Sequence, residues 1–400
     1  MMAKEPAATV SRTRAPAVSL YGRLTPVIRI ASTEGMSSVQ ALDNSHSSSR
    51  FGIRSSGGIN KSMSVSSTIE VGVNGPNRPG SGFDISGGAP SIALRIAEAS
   101  ISDASMGTVT IGHGWLAGGG FGANFAGTGH VFGIWGPGGD GIKATKDGVE
   151  VGNGVRHGGG PFLAYGARVA RIMYATPNVM GLGLRASYNQ DKGWGAGASF
   201  SGFPNMKEVS IAANASYHSV GEEGDETGFG VSGSVKHNSS GVLATGIYGK
   251  QGDLTTWMVE GGWTGALNKM GATSVTLGYG QWGDGVSASN RYHLAINQNI
   301  ASAGTNVYIG VAYDNGNATH TVAHAAGAGS GFSVDSATGD IVAGTAGTFG
   351  DDDAVIDQAC GAAEVDQADA TMITGVQNGS QCALDRDGVL TIIAGLMIQF

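Results

Sequence analysis

The chain has 400 residues, of which 70 are glycine and only 14% are charged, with a net charge of −8. Glycine far above its roughly 7% usual share, with charge well below the roughly 25% of soluble domains, argues against a set of ordinary globular domains. The acidic balance gives no reason to expect a nucleic-acid partner. No run of about 18 apolar residues offers a transmembrane helix, so a chain that spans a membrane must do so as a closed barrel.

Residues 1–17, MMAKEPAATVSRTRAPA, come first. They have no apolar centre, although Ala15-Pro16-Ala17 has the small-x-small form of a cleavage site. They are expected to lie outside the fold, with the export leader itself absent from this sequence. From Val18 the pattern changes. VSLYGRLTPVIRI puts Val18, Leu20, Leu24, Ile28 and Ile30 on one side, and Ser19, Tyr21, Arg23, Thr25 and Arg29 on the other. Alternation of period two is the signature of a strand with two different faces.

The same reading continues along the chain. Strands are expected near 18–32, 48–58, 61–74, 91–102, 107–114, 166–176, 182–190, 193–201, 207–218, 227–237, 242–252, 255–266, 272–282, 289–299, 304–314 and 388–400. An even number of strands suits a bacterial transmembrane barrel. One set of connections is tight and carries Gly, Asn and Pro, as in PNVMG at 177–181 and NSSG at 238–241. The other set is longer and includes 33–47, 75–90, 115–165 and 315–387. Short turns at one rim and long loops at the other fit the same architecture. The last strand, VLTIIAGLMIQF, sets Leu390, Ile392, Leu396, Ile398 and Phe400 against Thr391 and Gln399. The expected fold is all-β: a sixteen-stranded antiparallel transmembrane barrel over 18–400.

Several stretches resemble the Gram-negative general porins. They are VSLYGRL at 18–24, SSRFGIRSS at 48–56, LRIAEASISDASMGTVTIGHGW at 94–115, GARVARIMYATPNVMGLGLRASYN at 166–189, and the terminal IQF. The resemblance implies a homotrimer in the bacterial outer membrane, in contact with lipid and lipopolysaccharide. It also implies a third loop, 115–165, folded into the lumen, and passive passage of ions and small hydrophilic solutes. The sequence departs from the family in its thin acidic signature at 132–152 and in its long loop at 315–387.

Arginines are the strongest functional signal. Parity puts Arg23, Arg50, Arg54 and Arg95 on the polar face, and the resemblance adds Arg168. Toward lipid each would cost about 2–4 kcal/mol at mid-membrane, whereas toward water they shape the field of a pore. If 115–165 folds inward, Asp140 faces them, and the local excess of arginine leans the constriction toward anions. Glu98 and Arg171 fall on the nominal outer face and fit this register badly. Cys360 and Cys382 are expected to form a disulfide in an exposed loop.

No cofactor or metal is expected. The glycine-rich stretch at 116–133 lacks the Lys-Ser/Thr of a phosphate-binding loop. His320 and His324 lack helical context for a metal pair, and Asp351-Asp352-Asp353 reads as a solvated run with calcium as the alternative. A barrel enzyme, phospholipase or protease, would need a Ser–His or Asp–His constellation, and no local motif marks one. A secreted glycine-rich β-protein would show an internal period, and none is found. Channel conductance separates these readings.

Overall fold

The structure is a computed structural model. It describes residues 16–34, 36–44, 47–74, 91–119, 125, 127–132, 142–143, 145–146, 149–150, 156–157, 168–189, 193–203, 205–219, 227–283, 288–321, 332–334, 341–343, 381–385 and 387–400.

Sixteen strands close a single antiparallel barrel. Strand β1 runs in two lengths, Ala17–Leu24 and Pro26–Thr33, on either side of Thr25. Strand β2 is also broken, into Met36–Asp43 and Arg50–Gly58. Next come β3 (Met63–Asn74), β4 (Ser91–Asp103), β5 (Gly107–Trp115), β6 (Arg168–Ala175), β7 (Leu182–Asn189) and β8 (Trp194–Phe200). The second half is β9 (Val209–Ser219), β10 (Thr227–His237), β11 (Val242–Gln251), β12 (Leu254–Asn268), β13 (Gly271–Gly283), β14 (Ala288–Ile300) and β15 (Thr305–Thr321). Strand β16 comprises Gln381–Asp385 and Val389–Gln399. Each strand pairs with its sequence neighbours, and β1 closes on β16 with Val27 opposite Gly395 and Arg23 opposite Gln399. Gly22 and Phe400 exchange both backbone hydrogen bonds, 2.8 and 3.1 Å, at the seam. Full closure leaves the sheet no edge in hydrocarbon.

The two faces differ as the alternation requires. Ile28, Ile53, Ile111, Leu277, Ile309 and Leu396 are exposed on the outside. Residues of the opposite parity turn in: Arg29, Thr110, Thr276, Asn297 and Thr391 are buried. Among the described residues no helix is long and apolar enough to cross a membrane. The strands do the crossing.

Three boundaries differ from those expected. The segment 33–47, expected to be a loop, holds the first length of β2, with Val39 opposite Ile30 and Gln40 opposite Arg29. The polar run at 43–49 hid this strand by interrupting its alternation. Strand β15 continues past 314 to Thr321 and pairs with Gln381–Asp385, so that loop narrows to 322–380. Within 115–165, two short ladders join 142–143 to 156–157 and 145–146 to 149–150.

Short turns hold one rim. At the β4–β5 turn, Asp103 Oδ1 accepts from the backbone N–H groups of Ser105 (2.9 Å) and Met106 (3.1 Å). Gly107 follows at φ 95°, a left-handed conformation open to glycine, and a Cβ there would strike the Ala175 carbonyl.

Candidate functional site

Arg23, Arg50 and Arg95 gather on the inner wall of β1, β2 and β4. In register Arg23 lies directly opposite Arg50. Two of the three guanidiniums share Glu70 of β3: Arg95 Nε lies 2.8 Å and Arg50 Nη1 3.5 Å from its Oε1. The Tyr21 hydroxyl donates to the other carboxylate oxygen at 3.1 Å. Arg54, nearer the short-turn rim, stacks 3.9 Å over the Tyr21 ring. A single carboxylate among several arginines leaves the group strongly cationic.

A β-bulge puts Arg95 here. Glu70 pairs with Ile96 and Val71 with Leu94, so Arg95 is an extra residue in β4. A bulge re-aims the side chains around it and shifts parity by one beyond it. Glu98 therefore faces inward, correcting its placement on the outer face. Arg171 faces inward with it and bonds Glu98 Oε2 at 2.7 Å, with its own side chain 2% exposed. Two residues that fit the expected register badly are partners.

Arg168 stands apart from the Glu70 contacts. Its position in β6 is in step with Ala170 and Ile172, not with Arg171, and it stacks 4.4 Å over the Trp115 ring. Asp140 and Cys360 lie outside the described residues, as do His324 and Asp351–Asp353. The backbone of Cys382 pairs opposite His320.

The opposite wall carries the described part of 115–165. The Ala117 N–H donates to Ser187 Oγ of β7 at 2.8 Å. Phe125 lies 5.6 Å from the Lys236 ammonium of β10, and Thr128 Oγ1 bonds Thr276 Oγ1 of β13 at 2.9 Å. His130 Nε2 meets Asn297 Oδ1 of β14 at 3.1 Å. Val131 and Phe132 end in an apolar cluster with Val27, Leu42, Ala295, Tyr308, Ala312, Ile393 and Met397. All these wall residues sit on the face opposite the exposed aliphatics. The contacts advance strand by strand around the barrel from β7 and end against β1 and β2, beyond β16.

Beneath this path lie ionic pairs that sequence reading missed. Arg291 of β14 makes a bidentate pair with Asp314 of β15, at 2.7 and 2.8 Å, their side chains 2% and 1% exposed. Its guanidinium also lies 5.3 Å from the Phe132 ring centroid. His293 Nε2 lies 3.3 Å from Glu260 Oε1. The available signal was alternation: Arg291 and His293 flank the outward Tyr292. Arg185 of β7 and Lys236 add two further inward cations by register, opposite the exposed Leu184 and Val235.

A family model described as Gram-negative porin matches residues 3–319. No curated protein matches the chain. Among solved structures, the fold is similar to that of an anion-selective porin from Comamonas acidovorans, at 14% identity and a TM-score of 0.56, covering 96% of this chain and 100% of that one. It is also similar to the outer-membrane protein OmpT of Vibrio cholerae, at 11% identity and a TM-score of 0.52, covering 98% and 100%. The family match runs from ahead of β1 into β15, and so the chain belongs to the Gram-negative porin family, an outer-membrane barrel that acts as a channel for passive diffusion.

Proposed function

We propose that this channel favours small anions and is narrowest between the arginines of β1, β2 and β4 and an inward-folded 115–165 loop. The observation that carries this reading is the arginine group around Glu70. Of the other carboxylates described on the inner face, Glu98 and Asp314 are paired with Arg171 and Arg291, while Glu260 meets His293 and Asp43 accepts from Ser49 and Thr25. Arg23, Arg50, Arg54, Arg95, Arg185 and Lys236 therefore outweigh them. The chain's net charge is −8, so its acids must concentrate elsewhere. At a narrow point flanked by low-dielectric walls, local charge acts more strongly on a passing ion than distant, screened charge does.

The path of residues 117–132 along β7 to β16 supports an inward fold for the whole loop, with Asp140 placed to face the arginines. Arg168, which follows the loop at the start of β6, would join the group at the mouth. The similar Comamonas protein is itself named anion-selective. A homotrimer set in lipid and lipopolysaccharide, passing small hydrophilic solutes without catalysis, completes the reading.

The zero-current potential across a potassium chloride gradient in a planar bilayer tests it. An anion-favouring sign supports the proposal. A cation-favouring sign contradicts it.

A further inference from the structure

Between Asp43 and Arg50, β2 leaves the barrel wall and returns. An interrupted strand forfeits ladder hydrogen bonds, and its buried polar groups must find other partners. Here they do. The Asn44 N–H donates to the Thr25 carbonyl at 2.9 Å, and the Ser49 N–H donates to Asp43 Oδ2 at 3.0 Å. Thr25 Oγ1 lies 2.9 Å from the Ser47 carbonyl and 3.1 Å from Asp43 Oδ1. The Ser49 carbonyl then accepts from the Val73 N–H at 3.0 Å and rejoins the sheet. Thr25, Asn44, Ser47, Ser48 and Ser49 are all buried. The described residues of the bend satisfy one another.

It touches both sides of the passage. On one side the Ser48 carbonyl accepts from Arg50 Nε at 3.1 Å and lies 3.5 Å from Arg23 Nε. On the other, Asn44 Nδ2 lies 2.6 Å from the His130 carbonyl and 2.7 Å from the Tyr308 hydroxyl. His130 in turn packs edge-on against the Tyr308 ring, with centroids 4.8 Å apart.

We propose that this bend is the positioning element of the pore, with Asp43 fixing its shape, Asn44 holding the loop and the Ser48 carbonyl aiming the arginines. Aperture and ion preference are then set together by one short segment. The inference rests on the reading that the arginines and residues 127–132 border the narrowest passage.

Single-channel recording of the full-length protein separates the parts. Asn44→Ala removes the tie to His130 and no charge. It should raise conductance and open-channel noise while leaving the reversal potential in place. Arg50→Ser should shift the reversal potential and leave the noise alone. Asp43→Ala frees the bend and should change both. Ser49→Ala, which removes the hydroxyl that meets Thr25 N, Thr25 Oγ1 and Asp43 Oδ1, should move both in the same direction and serves if Asp43→Ala does not insert. A purely structural role would lower the yield of inserted channels and leave the noise of those that insert unchanged. Wild-type noise and conductance in Asn44→Ala and Asp43→Ala would overturn the proposal. An unmoved reversal potential in Arg50→Ser would count against the constriction reading instead, while the noise of Asn44→Ala still reports on the tie.

Discussion

Gly310 shows how one residue makes room for the loop. A Cβ there would come within 2.5 Å of Val131 Cγ1 and 2.6 Å of the Phe132 ring. Real Cβ atoms do not tolerate such contacts, and both neighbours are packed in the apolar cluster. Gly310→Val should therefore lift 131–132 from the wall, seen as raised proteolytic cleavage in 116–132 of the refolded barrel. Arg291 is the opposite case, a charge buried because its partner is. Arg291→Ala leaves Asp314 buried without its guanidinium, which typically costs about 3–5 kcal/mol. Replacing both residues with leucine removes the orphan and should cost much less. Urea unfolding midpoints of the two variants check this, and equal losses would refute it.

Alternation alone made most elements legible, because a strand between lipid and water has no choice of pattern. Val18 to Ile30 and Val389 to Phe400 could be assigned from parity, and Leu390, Leu396 and Phe400 are exposed while Thr391 is buried. What failed was anything that breaks period two. The bulge at Arg95 adds a residue without a turn signal, so unbroken parity from Leu94 puts Glu98 on the wrong face. The break at 43–49 concealed the first length of β2, since its polar residues satisfy one another inside the barrel as they would in a loop. Contacts between distant elements, such as Asn44 with His130, leave no trace in local pattern. The same logic makes a prediction: deleting Arg95 removes the bulge and leaves regular β3–β4 pairing, with Leu94 still opposite Val71 and Ile96 opposite Glu70. Leu94 and Ile92 then keep their outward face, so a Cys placed at 92 should still be labelled by a lipid-phase maleimide in the deletion variant, and loss of that labelling would contradict the bulge. Cys360 and Cys382, the latter in the first length of β16, are expected to be disulfide-bonded, enclosing a loop that chain entropy would stabilise by about 3 kcal/mol. Two reactive thiols in the unreduced, denatured protein would rule that out.

At the scale of the whole molecule, the barrel converts a face pattern into a transport property. The outer aliphatics commit the surface to lipid, and closure commits every polar inward residue to the water path. Along that path charge is uneven: arginines gather on β1, β2 and β4, while on β14 and β15 Arg291 is paired with Asp314. If the passage narrows there as proposed, that asymmetry sets a transverse field across it. The reversal potential of Arg50→Ser/Arg95→Ser beside that of the parent channel, in one salt gradient, tests this account most directly. Losing two cations from the arginine wall should shift it toward cation preference and raise conductance as the side chains shorten. An unchanged potential and conductance would mean that these arginines do not line the constriction.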